Sequence, residues 1–300
     1  MAGLLGRVGI RHRTQTGPPD FVGVGTVNSG SRWWLRFLLE HPAIESRRRR
    51  DRELRFFDEF CTREMTRGDV ASYHSRFPRK AGRIAGEWTP LYMSEPWTPL
   101  LLHRAAPEAK LLALVRDPVE RYRARLAQRL SEAQPDEEVK YMSDATSRGR
   151  YASQLRGLLA FYDAERILVL QYEQCRTDPL RQYARTLRFL AVSDDFQPKR
   201  LQALAPDEVP YPYSGARRLL GRMKRRLRGR RPDELAAVDL WPDLRRSLLV
   251  ELEPEVLELQ TMVPDLRLEL WPNFAHLAAE HAARHGGDSA SAQSASPTST

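Results

Sequence analysis

Three short groups of residues in this chain could act on an anionic group. The first is the loop Gly25-Thr26-Val27-Asn28-Ser29-Gly30-Ser31-Arg32. It lies between an apolar run, Phe21-Val22-Gly23-Val24, and a helical pattern carrying Trp33, Trp34, Phe37 and Leu38 about one turn apart. A strand, a glycine-containing loop and a helix start make a cradle for phosphate. Glycines let the backbone come close, exposed N–H groups point inward, and the helix N-terminus favours negative charge. The GK[ST] ending of a Walker A loop is missing, and a plain strand-to-helix turn is the competing reading of this loop taken alone. The second group is Arg116, which emerges from the apolar run KLLALV and is followed by Asp117-Pro118. A guanidinium at a strand end beside a helix start can grip a phosphate with two hydrogen bonds. The third is Glu87 in Gly86-Glu87-Trp88-Thr89-Pro90. Pro90 biases Thr89 toward an extended backbone. A carboxylate at the start of such a turn can remove a proton from an attacking hydroxyl or amine; an ordinary surface glutamate is the competing reading. Arg121 and Arg123 read as scattered charge on an exposed helix.

The elements that must position these groups follow from the apolar pattern. KLLALV at 110–115 and ILVLQ at 167–171 are short, continuously apolar runs, as expected of strands buried on both faces. Asp117 and Asp178 each precede a proline, a pairing that caps a helix and opens its first turn. Helices are therefore expected from Pro118 to about Leu130 and from Pro179 to near Leu190, with others over 68–80, about 150–162 and 243–263. Pro254 is expected to kink or break the last of these. Residues 132–148 are polar and read as a flexible loop. Strands alternating with helices predict an α/β chain with a central parallel sheet flanked by helices. Sites in such sheets lie at the carboxyl ends of strands, where loops 25–31, 116–118 and 171–176 converge.

Composition limits the function classes. The 300 residues hold 41% hydrophobic side chains, enough for a real core, and no apolar run long enough to span a bilayer. The N-terminus lacks a sustained apolar segment and a clear cleavage site. The two cysteines, Cys61 and Cys175, form no CxxC, which argues for a reducing, cytoplasmic compartment and against a disulfide framework or a zinc site. Residues 216–231 carry nine basic and no acidic side chains, equal to the formal net charge of +9 of the whole chain. Leu219, Met223 and Leu227 recur there every four residues, the pattern of a basic amphipathic helix. Such a helix could pack on the domain, lie on an anionic membrane surface or help hold an anionic ligand. No specific nucleic-acid motif accompanies the charge. The expected organisation is a flexible tail over 1–18, one domain over 19–278 that includes the basic segment, and a disordered tail over 279–300.

Taken in order, the glycine loop, Gly86-Glu87-x-Thr89-Pro90, Arg116-Asp117-Pro118-Val119-Glu120-Arg121, and Leu168-Val169-Leu170-Gln171-Tyr172-Glu173 with Asp178-Pro179 resemble the sulfotransferases that use 3′-phosphoadenylyl sulfate (PAPS). The likeness is to the bacterial branch related to heparan-type sulfotransferases and covers about residues 19–275. It implies a three-layer, P-loop-like α/β fold with PAPS as co-substrate. Loop 25–32 would hold the 5′-phosphosulfate, Arg116 the 3′-phosphate, and Glu87 would be the general base. The acceptor would be a hydroxyl or amine of a glycan, lipid or small metabolite, and no metal is required by that scheme. Three positions depart from the family pattern. Asn28 stands where the loop usually has Lys or Arg, Arg32 where it usually has a second Thr or Ser, and Ala124 where the helix after Arg116 usually has Ser. Either Arg32 supplies the missing charge, or donor binding is impaired and the chain is a sulfotransferase-like nucleotide- or anion-binding protein.

Overall fold

The structure, a computed structural model, describes residues 14–45, 53–132, 143–202 and 240–278. In chain order the strands are β1 (Thr14–Gln15), β2 (Phe21–Gly25), β3 (Arg79–Lys80), β4 (Gly86–Trp88), β5 (Lys110–Val115) and β6 (Ile167–Gln171). The helices are α1 (Ser31–Leu38), α2 (Arg67–His74), α3 (Thr98–Ala105), α4 (Pro118–Glu132), α5 (Ser143–Ser147), α6 (Tyr151–Leu159), α7 (Tyr172–Thr177), α8 (Pro179–Leu190), α9 (Lys199–Gln202) and α10 (Pro242–Met262).

Four strands form one parallel sheet in the order β4-β2-β5-β6, with Val22 opposite Glu87, Gly23 opposite Leu112 and Val115 opposite Gln171. Alternate side chains feed two cores, because successive residues of a strand face opposite sides. Leu111, Ala113 and Val115 point into one core with Tyr151, Leu155, Leu252 and Val256; Leu112 and Leu114 point into the other with Trp34, Phe37, Tyr183 and Leu187. The sheet is thus covered on both faces; the α/β parallel sheet is as the pattern predicts, and its three layers are as the resemblance implies. The central position of β2 places the strand that feeds the glycine loop between β4, which carries Glu87, and β5, which leads to Arg116.

Several local expectations change. Helix α2 ends at His74, short of Pro78. Proline disfavours helical backbone at the residue before it, and Phe77 there is fully buried. Residues 143–147, assigned to a loop, form α5; 133–142 lie outside the described residues. Pro254 neither ends nor divides α10. Its missing N–H leaves the carbonyl of Val250 without its helical donor, and Val250 is 72% exposed, where water can replace that donor. Thr14–Gln15, inside the segment assigned to a tail, pairs antiparallel with Arg79–Lys80. The basic segment 216–231 and residues 279–300 lie outside the described residues. Among the described residues no helix is long and apolar enough to cross a membrane.

Candidate functional site

The loop after β2 is shaped by close packing. A Cβ at Gly23 would lie 2.0 Å from Trp88 Cδ2, and the indole Nε1 of Trp88 donates to the carbonyl of Gly25 at 2.9 Å. Trp88 therefore fills the space under the loop. Thr26 Oγ1 donates to the carbonyl of Leu114 on β5 at 2.9 Å and is hydrogen-bonded to Ser29 Oγ. These bonds tie the loop to the strand that carries Arg116. Gly30 caps α1 with φ +86°, and a Cβ there would meet the Tyr172 ring at 3.0 Å. Both facts favour glycine at this position. The eight-residue α1 begins with no side-chain cap and no acidic residue in its first turn, so its positive end is not offset by a carboxylate of that turn.

Arg116 reaches this loop. Its Nη1 lies 3.5 Å from the carbonyl oxygen of Asn28, and its guanidinium stacks 4.8 Å over the Tyr172 ring. Arg176 lies over the same ring at 5.9 Å. The backbone beneath Arg116 is held from three sides. Tyr151 Oη donates to the Arg116 carbonyl at 2.9 Å. Asp117 accepts from the N–H groups of Val119 and Glu120, capping α4 as its sequence predicts, and from both the backbone and the side chain of Asn273. Glu173 accepts from Asp117 N at 3.1 Å and from Trp271 Nε1 at 2.8 Å. Burial pushes the Glu173 carboxyl up to about 7, against the pull of those donors and of the Arg116 charge. Burial likewise raises Asp117.

Glu87 sits on β4 and is 3% exposed. Three hydroxyls donate to its carboxylate: Tyr73 at 2.9 Å and Tyr92 at 3.2 Å to Oε1, and Thr89 at 2.7 Å to Oε2. Hydrogen bonds of this kind let a charged group be buried. Burial, followed by the charge of Glu87, pushes both phenols well above their usual range, so they remain protonated donors. The segment from Glu53 covers this cluster. Arg55 N donates to Thr89 Oγ1 at 3.3 Å and Phe56 N to Tyr92 Oη at 2.9 Å. Arg32 pairs with Glu53 at 3.2 Å.

The structure thus brings Arg116 to Asn28 of loop 25–32, 88 residues earlier in the chain, and pairs Glu87 on β4 with Val22 of the strand that feeds the loop. Ala124 is buried on α4. Arg121 contradicts its sequence reading. It is 1% exposed, not a surface charge. The hydroxyl shell of Glu87 and the roles of Tyr172, Glu173 and Tyr151 beneath Arg116 were not foreseen; only Tyr172-Glu173, within a recognised motif, carried any signal. Among the described residues no group of three or more His, Cys, Asp or Glu side chains could hold a metal ion.

A family model described as a sulfotransferase domain matches residues 18–205, and the chain belongs to that family. The chain is 28% identical over 232 residues to the heparan sulfate glucosamine 3-O-sulfotransferase 6 of Mus musculus, and 29% over 234 residues to that of Homo sapiens. Each match covers 72% of this chain and 66% of the relative, so it spans just under two thirds of those proteins. A sulfotransferase from Alicyclobacillus acidocaldarius shares the fold, with a TM-score of 0.58 at 22% identity, covering 84% of this chain and 98% of that one.

Proposed function

We propose that this chain transfers a sulfuryl group from PAPS to a hydroxyl or amine of a glycan, lipid or small metabolite. The observation that carries this reading is the meeting of Arg116 with the Asn28 carbonyl at the mouth of the glycine loop. It puts a guanidinium beside the glycine loop that leads into α1, a helix with no side-chain cap. In this reading loop 25–32 holds the 5′-phosphosulfate and Arg116 the 3′-phosphate. The acceptor oxygen or nitrogen attacks sulfur in line. The bond from sulfur to the phosphate oxygen breaks, and adenosine 3′,5′-bisphosphate leaves. Glu87 accepts the acceptor's proton. Because both its oxygens already receive hydroxyls, the acceptor takes the place of one of them, which requires the segment from Glu53 to give way. Fixed donors around the leaving phosphate stabilise charge where it develops.

The named activity of the relatives, sulfation of a glucosamine hydroxyl, supports a glycan hydroxyl as the first acceptor to test. Glu87 and Arg116 favour an active enzyme over an impaired binding protein; Asn28 and Ala124 are what the second reading rests on. The free thiols of Cys61 and Cys175 support a cytoplasmic location. The domain is assigned to 19–278, and segment 216–231 first to packing on that domain with partial exposure, then to contact with an anionic ligand or membrane surface. The test is thermal melting with adenosine 3′,5′-bisphosphate. A ligand of the folded state raises the melting temperature; no rise at saturating ligand refutes the donor site.

A further inference from the structure

Arg121 lies on α4, one turn beyond Asp117, and is almost wholly buried. Its Nη2 donates to the carbonyl of Ala145 on α5, while among the described residues Nε and Nη1 have no hydrogen-bond partner. A guanidinium cannot shed its charge at ordinary pH, and a buried charge without a counter-ion is costly. The neighbours make matters worse. Burial first, and then the positive charges of Arg148 and Arg116, work against the Arg121 cation, with Tyr151 as the main group in its favour. Among the described residues, those groups include no carboxylate.

Tyr151, Arg148 and Arg116 are the groups that act on Arg121. Tyr151 binds the carbonyl of Arg116 at 2.9 Å and also interacts with Thr26 and with Arg121. Thr26 in turn bonds Ser29 of the glycine loop. Arg121 is therefore one tyrosine away from the inner wall of that loop. Arg148, whose charge also acts on Arg121, reaches solvent. Its side chain is 24% exposed and its contact with Asp144 is long, 3.6 Å. We propose that Arg121, with Arg148 at its solvent side and Tyr151 between it and Thr26, is the seat of a tetrahedral oxyanion, a sulfuryl or phosphoryl group. This rests on the sulfotransferase reading for the origin of the anion, though not for the existence of the seat. The rival account is that Arg121 only ties Ala145 to α4.

The two accounts give opposite results in Arg121→Met, an apolar replacement of similar length. Both that variant and its parent are made in an Arg116→Ala background, so that the expected 3′-phosphate site does not contribute. Melting is followed in low-millimolar sodium sulfate against sodium chloride of equal ionic strength. The expected result is a sulfate-specific rise in the parent that is absent in Arg121→Met; a rise retained in full overturns the proposal. Should Arg121→Met not fold, Arg148→Gln decides. Its half-saturating sulfate concentration should increase by about tenfold, the scale of a lost charged hydrogen bond, and an unchanged value overturns the proposal. Calorimetry on the otherwise unaltered chain then identifies the source. Arg121→Met losing PAPS affinity but not bisphosphate affinity assigns the donor's sulfuryl group. Loss of both assigns the 5′-phosphate. Loss of neither, with the sulfate response gone, assigns an anionic group on the acceptor. A parent that binds sulfate but no adenosine 3′,5′-bisphosphate refutes the donor reading while leaving the anion seat standing.

Discussion

Replacing Glu173 by Gln should remove a pH dependence from the stability of the fold. Glu173 is buried at the junction of β6, the turn at Arg116 and the C-terminal Trp271, and its carboxyl is raised from 4.5 to about 7. At ~1.4 kcal/mol for each tenfold change, that difference corresponds to about 3 kcal/mol. The folded state therefore holds a proton that the unfolded chain has released, over roughly pH 4.5 to 7. Stability from this group is fully present below the unfolded value and falls as pH rises through the folded one. Between about pH 5 and about pH 7.5 the parent should lose about 2 kcal/mol through Glu173. Asp117 is also raised by burial and adds a slope of the same sign; Asp69 is lowered, by its bonds to Arg63 and Thr66, and acts at lower pH. Urea unfolding of parent and Glu173→Gln across this range isolates the one group. The variant should show a clearly flatter profile and stand level with or above the parent at the alkaline end. A variant as steep as the parent would refute the reasoning, because the burial of this carboxyl would then not govern its proton.

Three further outcomes are expected. Arg116→Ala should weaken adenosine 3′,5′-bisphosphate by roughly 1.5–3 kcal/mol, the scale of a lost charged hydrogen bond; equal affinity by calorimetry would reject the 3′-phosphate assignment. Glu87→Gln should keep donor binding while turnover falls by about 10²–10⁴; unchanged turnover on a sulfated acceptor would remove Glu87 from the chemistry. Asn28→Lys should tighten PAPS and Arg32→Ala should loosen it, as read by competition with the bisphosphate; if neither changes, the loop does not touch the donor.

The parts of this fold that were legible are those coded locally. KLLALV and ILVLQ announce buried strands because both faces are apolar, and Asp117-Pro118 and Asp178-Pro179 announce helix starts because a cap acts within three residues. The three-residue β4 was not readable as a strand. It is too short to show a period, and its pairing with Val22 is set by the sheet. The shell around Glu87 was hidden for a related reason. Tyr73 lies fourteen residues away on another element, and no spacing rule links it to the carboxylate. Arg121 misled in the opposite direction. On a helix rich in charge an arginine reads as solvated, and only the packing of α5 and Tyr151 over α4 shows that it is enclosed.

That enclosure bears on the departures from the family pattern. Asn28 contributes no cation, yet its carbonyl faces the Arg116 guanidinium. Arg32, one turn further on, is paired with Glu53 and is partly exposed. A charge held at the rim is screened by water and contributes little, whereas a buried guanidinium acts through a medium of low polarity. If positive charge missing from position 28 has been replaced, the physically stronger source is Arg121 rather than Arg32. The two candidates separate by salt. A rim contribution from Arg32 should fade as ionic strength rises, while one from Arg121 should persist. The loss of PAPS affinity in Arg32→Ala is therefore expected to shrink at high salt, and that in Arg121→Met to remain.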